Sequence, residues 1–191
     1  MEYLIVALIS YLFGSIPFGF ILTKTFLKKD IRNIGSGNIG ATNTLRAGNK
    51  WLGFTTLVLD ILKAIIPIIY IKLNYPDYIY IASLSTFLGH VFPIWLKFKG
   101  GKGIATYVGI LFSINPIFGF IFITTWIVTF LITKYSSLSS ILASLLVPIY
   151  LILFENSNSV FFTIMFVLIF YTHRENVKRL KNKEESKTNI Y

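Results

Sequence analysis

Seven apolar runs separated by polar turns organise this chain, at about 3–23, 52–73, 78–96, 104–115, 117–133, 140–154 and 159–172. A straight helix needs roughly 20 residues to cross the hydrocarbon core of a bilayer. Most of the runs approach that length, so the pattern predicts membrane-spanning helices. The runs 104–115 and 140–154 are short by this measure. They are expected to be tilted, re-entrant, or extended by neutral polar residues such as Ser113 and Ser139. Seven spans, or five spans with a re-entrant pair, both keep the termini on opposite sides. Three of the turns are brief and connective: Asn74-Tyr75-Pro76-Asp77, Asn115-Pro116 and Glu155-Asn156-Ser157-Asn158-Ser159. The remaining turns are longer and richer in functional groups.

Composition supports the same class. Hydrophobic residues make up 54% of the 191 residues and charged residues only 14%, with a mean hydropathy of +0.69. Soluble domains carry about 25% charged residues, so this chain has too little polar surface to coat a globule. The first run, Tyr3 to Thr23, has no basic residue before it and no small-residue cleavage site after it, and reads as a retained helix. The net charge of +10 and pI of about 9.7 raise the question of nucleic acid. The placement of the charge answers it. Of the 18 Lys and Arg residues, all but Lys63 and Lys72 fall in the tail and the turns of one side. That asymmetry puts the N-terminus outside, the C-terminus in the cytoplasm and the functional turns on the cytoplasmic face. The expected fold is an all-α integral membrane protein, a seven-transmembrane-helix bundle. Residues 1–180 form one membrane-embedded domain, and 181–191 form a polar cytoplasmic tail expected to be frayed.

Cysteine is absent, which excludes disulfides and thiolate chemistry, and two histidines make a multi-histidine metal centre a poor fit. No metal, cofactor, nucleic acid or obligatory protein partner is called for. What remains is a set of polar constellations on the expected cytoplasmic side. Lys97-Phe98-Lys99-Gly100-Gly101-Lys102-Gly103 opens directly into Ile104-Ala105-Thr106. Glycines let backbone N–H groups converge on a small object, and lysines make that object an anion. A helix starting at Gly103 would add its free amides and dipole. A basic turn meeting anionic lipid heads is the alternative.

The longest inner loop reads Gly35-Ser36-Gly37-Asn38-Ile39-Gly40-Ala41-Thr42-Asn43-Thr44-Leu45-Arg46. Its asparagines can orient hydroxyls and Arg46 can clamp a phosphate bidentately, features a flexible linker does not need. In Tyr171-Thr172-His173-Arg174-Glu175-Asn176, His173 and Asn176 share a helix face, suited to hydrogen-bonding a ligand. Asp60 and Lys63, three apart within the second run, read as an ion pair or as a substrate contact, and His90 as an interhelical hydrogen-bonder. Serines 136, 137, 139 and 140 cluster after Lys134-Tyr135, where one of them can touch a ligand or cap a helix. No Gly-x-Ser-x-Gly elbow, Walker loop or His-Glu-x-x-His occurs, nor the His-x₄-Asp pattern of common acyl-CoA acyltransferases. An enzyme built this way works by positioning phosphates and orienting a hydroxyl.

Three of these segments, in order, resemble the bacterial acyl-phosphate-dependent glycerol-3-phosphate acyltransferases, the PlsY family. They are Gly35 to Asn43 with Arg46, Gly89-His90-Val91-Phe92-Pro93 through Phe98 to Thr106, and His173 to Leu180; the likeness runs from Gly14-Ser15-Ile16-Pro17 to Leu180. The resemblance implies an inner-membrane enzyme that moves a fatty acyl group from acyl phosphate to the 1-hydroxyl of glycerol 3-phosphate. Lysophosphatidic acid and phosphate would be its products.

It further implies that Gly100, Gly101, Lys102 and Gly103, with Ser36 and Asn38, bind the acyl phosphate. Arg46, Lys102, Ser139, His173 and Asn176 would bind glycerol 3-phosphate. His173, Asn176, Ser36, Arg46 and Lys102 would form the catalytic set, and Thr42 and Asn43 lie in the same motif as Ser36. Lys134 departs from the family pattern, where an arginine often stands, and loses the bidentate fork. Two other classes compete. A transporter of phosphate esters predicts a midplane site and paired charges in both halves. A membrane anchor explains the basic loops but not the glycine and asparagine pattern.

Overall fold

The computed structural model describes residues 1–155 and 158–188, and among these every regular element is helical. The elements are α1 (Glu2–Ser15), α2 (Phe18–Phe26), α3 (Ala41–Arg46), α4 (Lys50–Asn74), α5 (Ile79–Val91), α6 (Ile104–Ile114), α7 (Pro116–Thr133), α8 (Ser136–Phe154), α9 (Ser159–Thr172) and α10 (Arg174–Lys181). Among the described residues, five stretches are long and apolar enough to cross a membrane: Glu2–Phe26, Lys50–Asn74, Pro76–Leu96, Pro116–Thr133 and Ser136–Phe154. Ile104–Ile114 and Ser159–Thr172 are shorter apolar helices. All seven expected runs are helical. The run expected to begin at residue 140 starts instead at Ser136, because Ser136, Ser137 and Ser139 join its first turn. The 159–172 run stops after 14 residues, at His173. Of the turn between α8 and α9, Asn156 and Ser157 lie outside the described residues.

The chain divides into two compact units, Met1–Ile114 and Asn115–Tyr191. In the first, α1 and α2 form one apolar stretch broken at Pro17. Proline forces the preceding Ile16 into extended backbone and removes an amide, so the helix restarts at Phe18. Helix α1 packs on α5 through glycines: a Cβ at Gly14 would collide with the Thr86 carbonyl, and one at Gly89 with the Tyr11 carbonyl. Small residues give this close backbone approach in apolar surroundings. Helix α4 is capped at its start by Asn49, whose side chain accepts from the Leu52 amide at 3.0 Å. From its other end Lys72 donates to the Ser113 and Ile114 carbonyls, both at 2.9 Å, closing the C-terminus of α6.

In the second unit, Asn115 caps α7 by accepting from the Ile117 amide at 3.0 Å, with Pro116 in the first helical position. Lys134 turns the chain in the left-handed region, at φ 62°, between α7 and α8. Phe118 and Phe162 meet edge to face with ring centroids 5.3 Å apart. Outward positions such as Leu8, Ile66, Tyr70, Phe120, Ile132 and Val167 are exposed and apolar, which a lipid-facing helix requires. The tail is not frayed through its described length. It continues past α10 and bonds back, the Thr188 amide donating to the Lys134 carbonyl at 3.0 Å.

Candidate active site

Asn43 organises the loop before α3. Its side chain is 3% exposed, and its amide donates to the Ile34 and Asn38 carbonyls at 2.8 Å each and to the Ile31 carbonyl at 3.2 Å. Its Oδ1 accepts from the Ser36 amide at 3.0 Å. Four backbone groups of one loop therefore converge on a single buried amide, a role in holding the loop. The Asn38 side chain closes the next corner, its Oδ1 accepting from the Gly40 amide at 3.2 Å. Ser36 and Thr42 are left exposed, and Arg46 ends α3 with an exposed side chain. Gly35 at φ +54° lies where a Cβ would strike Asn43 Oδ1. At the loop's entry the Arg32 guanidinium donates to Asp30, at 2.6 Å in its shortest bond, and holds that carboxyl down at about 2.

The glycine turn is built against the end of α5. Pro93 prevents continuation of the helix, and Lys97 and Phe98 then take left-handed backbone at φ 53° and 62°. The Gly100 amide donates to the Val91 carbonyl and the Gly101 amide to the His90 carbonyl, both at 3.0 Å. These two amides are spent on α5, so the expected convergence on an anion falls to the groups that follow. Gly103, at φ +85°, delivers the chain into α6, which begins at Ile104 rather than at Gly103. The first amides of a helix have no acceptor within it and attract negative charge. Lys102 stands half-buried beside them.

In the second unit, His173 is the joint between α9 and α10 and is 2% exposed. Its Nδ1 lies 2.8 Å from the Ile169 carbonyl. A carbonyl only accepts, so Nδ1 carries the hydrogen and Nε2 of the neutral ring carries the lone pair. Asn176, 5% exposed, donates through Nδ2 to Glu185 Oε1 at 2.6 Å. Ser137 donates to the same oxygen at 2.7 Å, and Arg179 Nε to Oε2 at 2.7 Å. Burial pushes the Glu185 carboxyl up, but these three donors outweigh it and leave the group below its usual value. Ser139 is buried, its hydroxyl donating to the Tyr135 carbonyl at 2.9 Å while its oxygen remains able to accept.

Sequence reasoning missed Glu185, and it named Ser137 only as one of four clustered serines. The signal for Glu185 was an acidic pair in a basic tail. The structure thus places Ser36 and Asn38 on the loop before α3 and Arg46 at the end of α3, with Gly100 to Gly103 in the turn between α5 and α6, all in the first unit. His173, Asn176 and Ser139 belong to the second. Among the described residues no group of three or more His, Asp and Glu side chains is placed to hold a metal ion.

This arrangement has relatives. Residues 4–183 match the family model described as glycerol-3-phosphate acyltransferase. A glycerol-3-phosphate acyltransferase of Pelagibacter ubique (strain HTCC1062) is 79% identical over 191 residues, the whole of both chains. One from Bradyrhizobium diazoefficiens is 47% identical over 181 residues, covering 94% of this chain and 91% of its own. Among solved structures, the glycerol 3-phosphate form of PlsY (YgiH), an integral membrane glycerol 3-phosphate acyltransferase, is similar at a TM-score of 0.93 and 34% identity. That match covers 99% of this chain and 96% of the other. The lysophosphatidic acid form of the same protein gives 0.88 at 34% identity, over 98% and 95%. Matching from end to end, the chain belongs to the PlsY family of integral membrane glycerol-3-phosphate acyltransferases.

Proposed function

We propose that this enzyme takes its acyl group from acyl phosphate and places it on the sn-1 hydroxyl of glycerol 3-phosphate. The observation that carries this reading is the glycine turn delivering Lys102 to the first amides of α6. A turn of that build suits the phosphate of an activated donor. In the reaction the glycerol oxygen bonds to the acyl carbon and the bond from that carbon to the phosphate oxygen breaks. The hydroxyl proton passes to the departing phosphate. No acyl-enzyme is needed, because the donor is already activated.

Lys102, Gly103 and the first amides of α6 form the donor's phosphate cradle, on the base that Gly100 and Gly101 build against α5, assisted by Ser36 and Asn38. Arg46 and Lys102 answer the phosphate of glycerol 3-phosphate, and the Ser139 oxygen accepts a hydrogen bond from that substrate. His173 Nε2, the lone-pair nitrogen, receives the hydrogen bond of the attacking hydroxyl, and Asn176 orients that hydroxyl. His173 and Asn176 therefore orient the hydroxyl rather than act as an obligatory nucleophile and base. The similar PlsY in its glycerol 3-phosphate and lysophosphatidic acid forms supports the acceptor and the product.

Residues 1–180 act as one acyltransferase domain. The five long apolar stretches and the two shorter helices make seven crossings of the inner membrane. The N-terminus lies outside, and the basic turns and active site are cytoplasmic. Purified protein given acyl phosphate and glycerol 3-phosphate is expected to form lysophosphatidic acid, while acyl-CoA or acyl carrier protein in place of acyl phosphate gives none. Lys102→Ala is expected to remove about 99% of turnover, in the range of a lost charge-stabilising donor. Product from acyl-CoA, or none from acyl phosphate, would overturn the donor assignment.

A further inference from the structure

Asp60, Lys63 and His90 take no part in the scheme above, yet they lead straight to the glycine turn. Lys63 on α4 is 3% exposed, and its ammonium reaches Asp60 Oδ1 at 2.7 Å, the Ile16 carbonyl at 2.8 Å and His90 Nδ1 at 3.0 Å. An ammonium has N–H donors and no lone pair, so toward the ring it can only donate. His90 Nδ1 is therefore an acceptor, and the ring hydrogen sits on Nε2. That nitrogen abuts Gly101, where a Cβ would collide with it. The His90 carbonyl meanwhile accepts the Gly101 amide at 3.0 Å. One residue thus supports the turn with both its backbone and its ring, and Lys63 holds the ring from its far side.

We infer that Asp60, Lys63 and His90 are positioning residues for the glycine turn, fixing the backbone that grips the donor's phosphate. An ion pair inside a spanning helix is costly, and apolar replacements of buried pairs are often neutral or stabilising. Stability alone gives no reason for this one. Its geometry does: the pair sets the face of the His90 ring, and the ring sets how close Gly101 can come. None of the three needs to touch substrate. The inference rests on the reading of the turn as the donor site.

Two substitutions separate the two sides of the ring. His90→Asn keeps a polar atom facing Lys63 and withdraws from Gly101. His90→Gln keeps one at the Nε2 position and gives up the contact with Lys63. Each is assayed in detergent with acyl phosphate and glycerol 3-phosphate varied separately, alongside thermal unfolding. Both variants are expected to raise the KM for acyl phosphate at least about tenfold, a loss typical of slight misplacement in a site. The KM for glycerol 3-phosphate is expected to stay within about twofold and Tm within a few degrees.

Lys63→Arg, which keeps the charge but replaces the three-way ammonium with a planar fork, is expected to give the same split. It decides the matter if a His90 variant fails to fold. An unchanged donor KM overturns the positioning role, as does an equal rise in both KM values with a lowered Tm. Lys102→Ala distinguishes the two levels. If it too leaves the donor KM unchanged, the reading of the turn as the donor site fails. If it raises that KM while the His90 and Lys63 variants do not, only the positioning role fails.

Discussion

The glycine turn and the His173–Thr188 segment are both polar structures beside apolar helices, but they are held by opposite means. The turn is held by main chain against main chain, Gly100 and Gly101 on the carbonyls of Val91 and His90, with no room for a side chain. The His173–Thr188 segment is held by side chains, with Asn176, Ser137 and Arg179 converging on the Glu185 carboxylate. A site made of close backbone contacts fails when an atom is added. One made of side chains around a charge fails when an atom or a charge is removed.

The sharpest way to break the contrast is to add one carbon to the turn. Gly101→Ala puts its Cβ into the His90 ring, which Lys63 prevents from moving aside. The turn must lift from α5, and a displacement of about 1 Å in a site costs on the order of a hundredfold. Turnover with acyl phosphate is expected to fall by at least about that factor, with normal extraction and folding in detergent. A variant within about threefold of the parent enzyme would show that the turn is not rigid, and the distinction between the two regions would collapse.

Removing a charge tests the other region. Glu185→Gln keeps the shape but gives up the ion pair with Arg179 and one acceptor lone pair set. Asn176 then keeps only a neutral acceptor in place of a carboxylate that Arg179 had fixed, and kcat is expected to fall about tenfold, a value between a lost neutral and a lost charged hydrogen bond. The pH dependence has a definite sign. The native Glu185 carboxyl titrates below its ordinary value of 4.5, so its contribution to stability is complete above about that pH. It is lost as pH falls through the lowered native value. Thermal unfolding of the parent and of Glu185→Gln is expected to differ near neutrality and to converge in acid. A gap that widens on acidification would mean the carboxylate is a burden there.

The helices were legible because each rests on a long local signal: apolar runs bounded by Asn-Pro or Pro-Asp turns, with charge confined to one side. All seven runs appear. The Asp60–Lys63 pair was also legible as a pair, since two charges three apart in a spanning helix have little choice but to meet. What escaped was long-range. Asn43 looks like a ligand residue in sequence and is a brace for its own loop, because only folding reveals that three carbonyls surround it. The amides of Gly100 and Gly101 looked available and are committed to α5, a contact no local pattern records. Glu185 lies in a stretch whose composition reads as disordered, and its order comes from partners at Ser137 and Asn176 that composition does not encode.

The smallest effect is expected where a charge pair holds neither kind of structure. Asp30 and Arg32 bond to each other two residues apart at the mouth of the Asn43 loop, and the Arg32 side chain is 42% exposed. Water and salt screen such a pair, and both chains lose rotamer freedom to make it, so exposed pairs contribute little. The Asp30 carboxyl, held down at about 2 by Arg32, stays ionised at any pH where the enzyme works. Its contribution is complete above its ordinary value of 3.8 and fades only as pH falls toward 2. Asp30→Asn keeps an acceptor for the Arg32 amide, so the turn at Ile31–Asn33 survives. Turnover and both KM values are expected to stay within about twofold of the parent across neutral pH, with no new salt dependence. A tenfold loss would mean that this exposed pair acts like the Glu185 cluster, and that burial of the charge is not what separates a structural carboxylate from a solvated one.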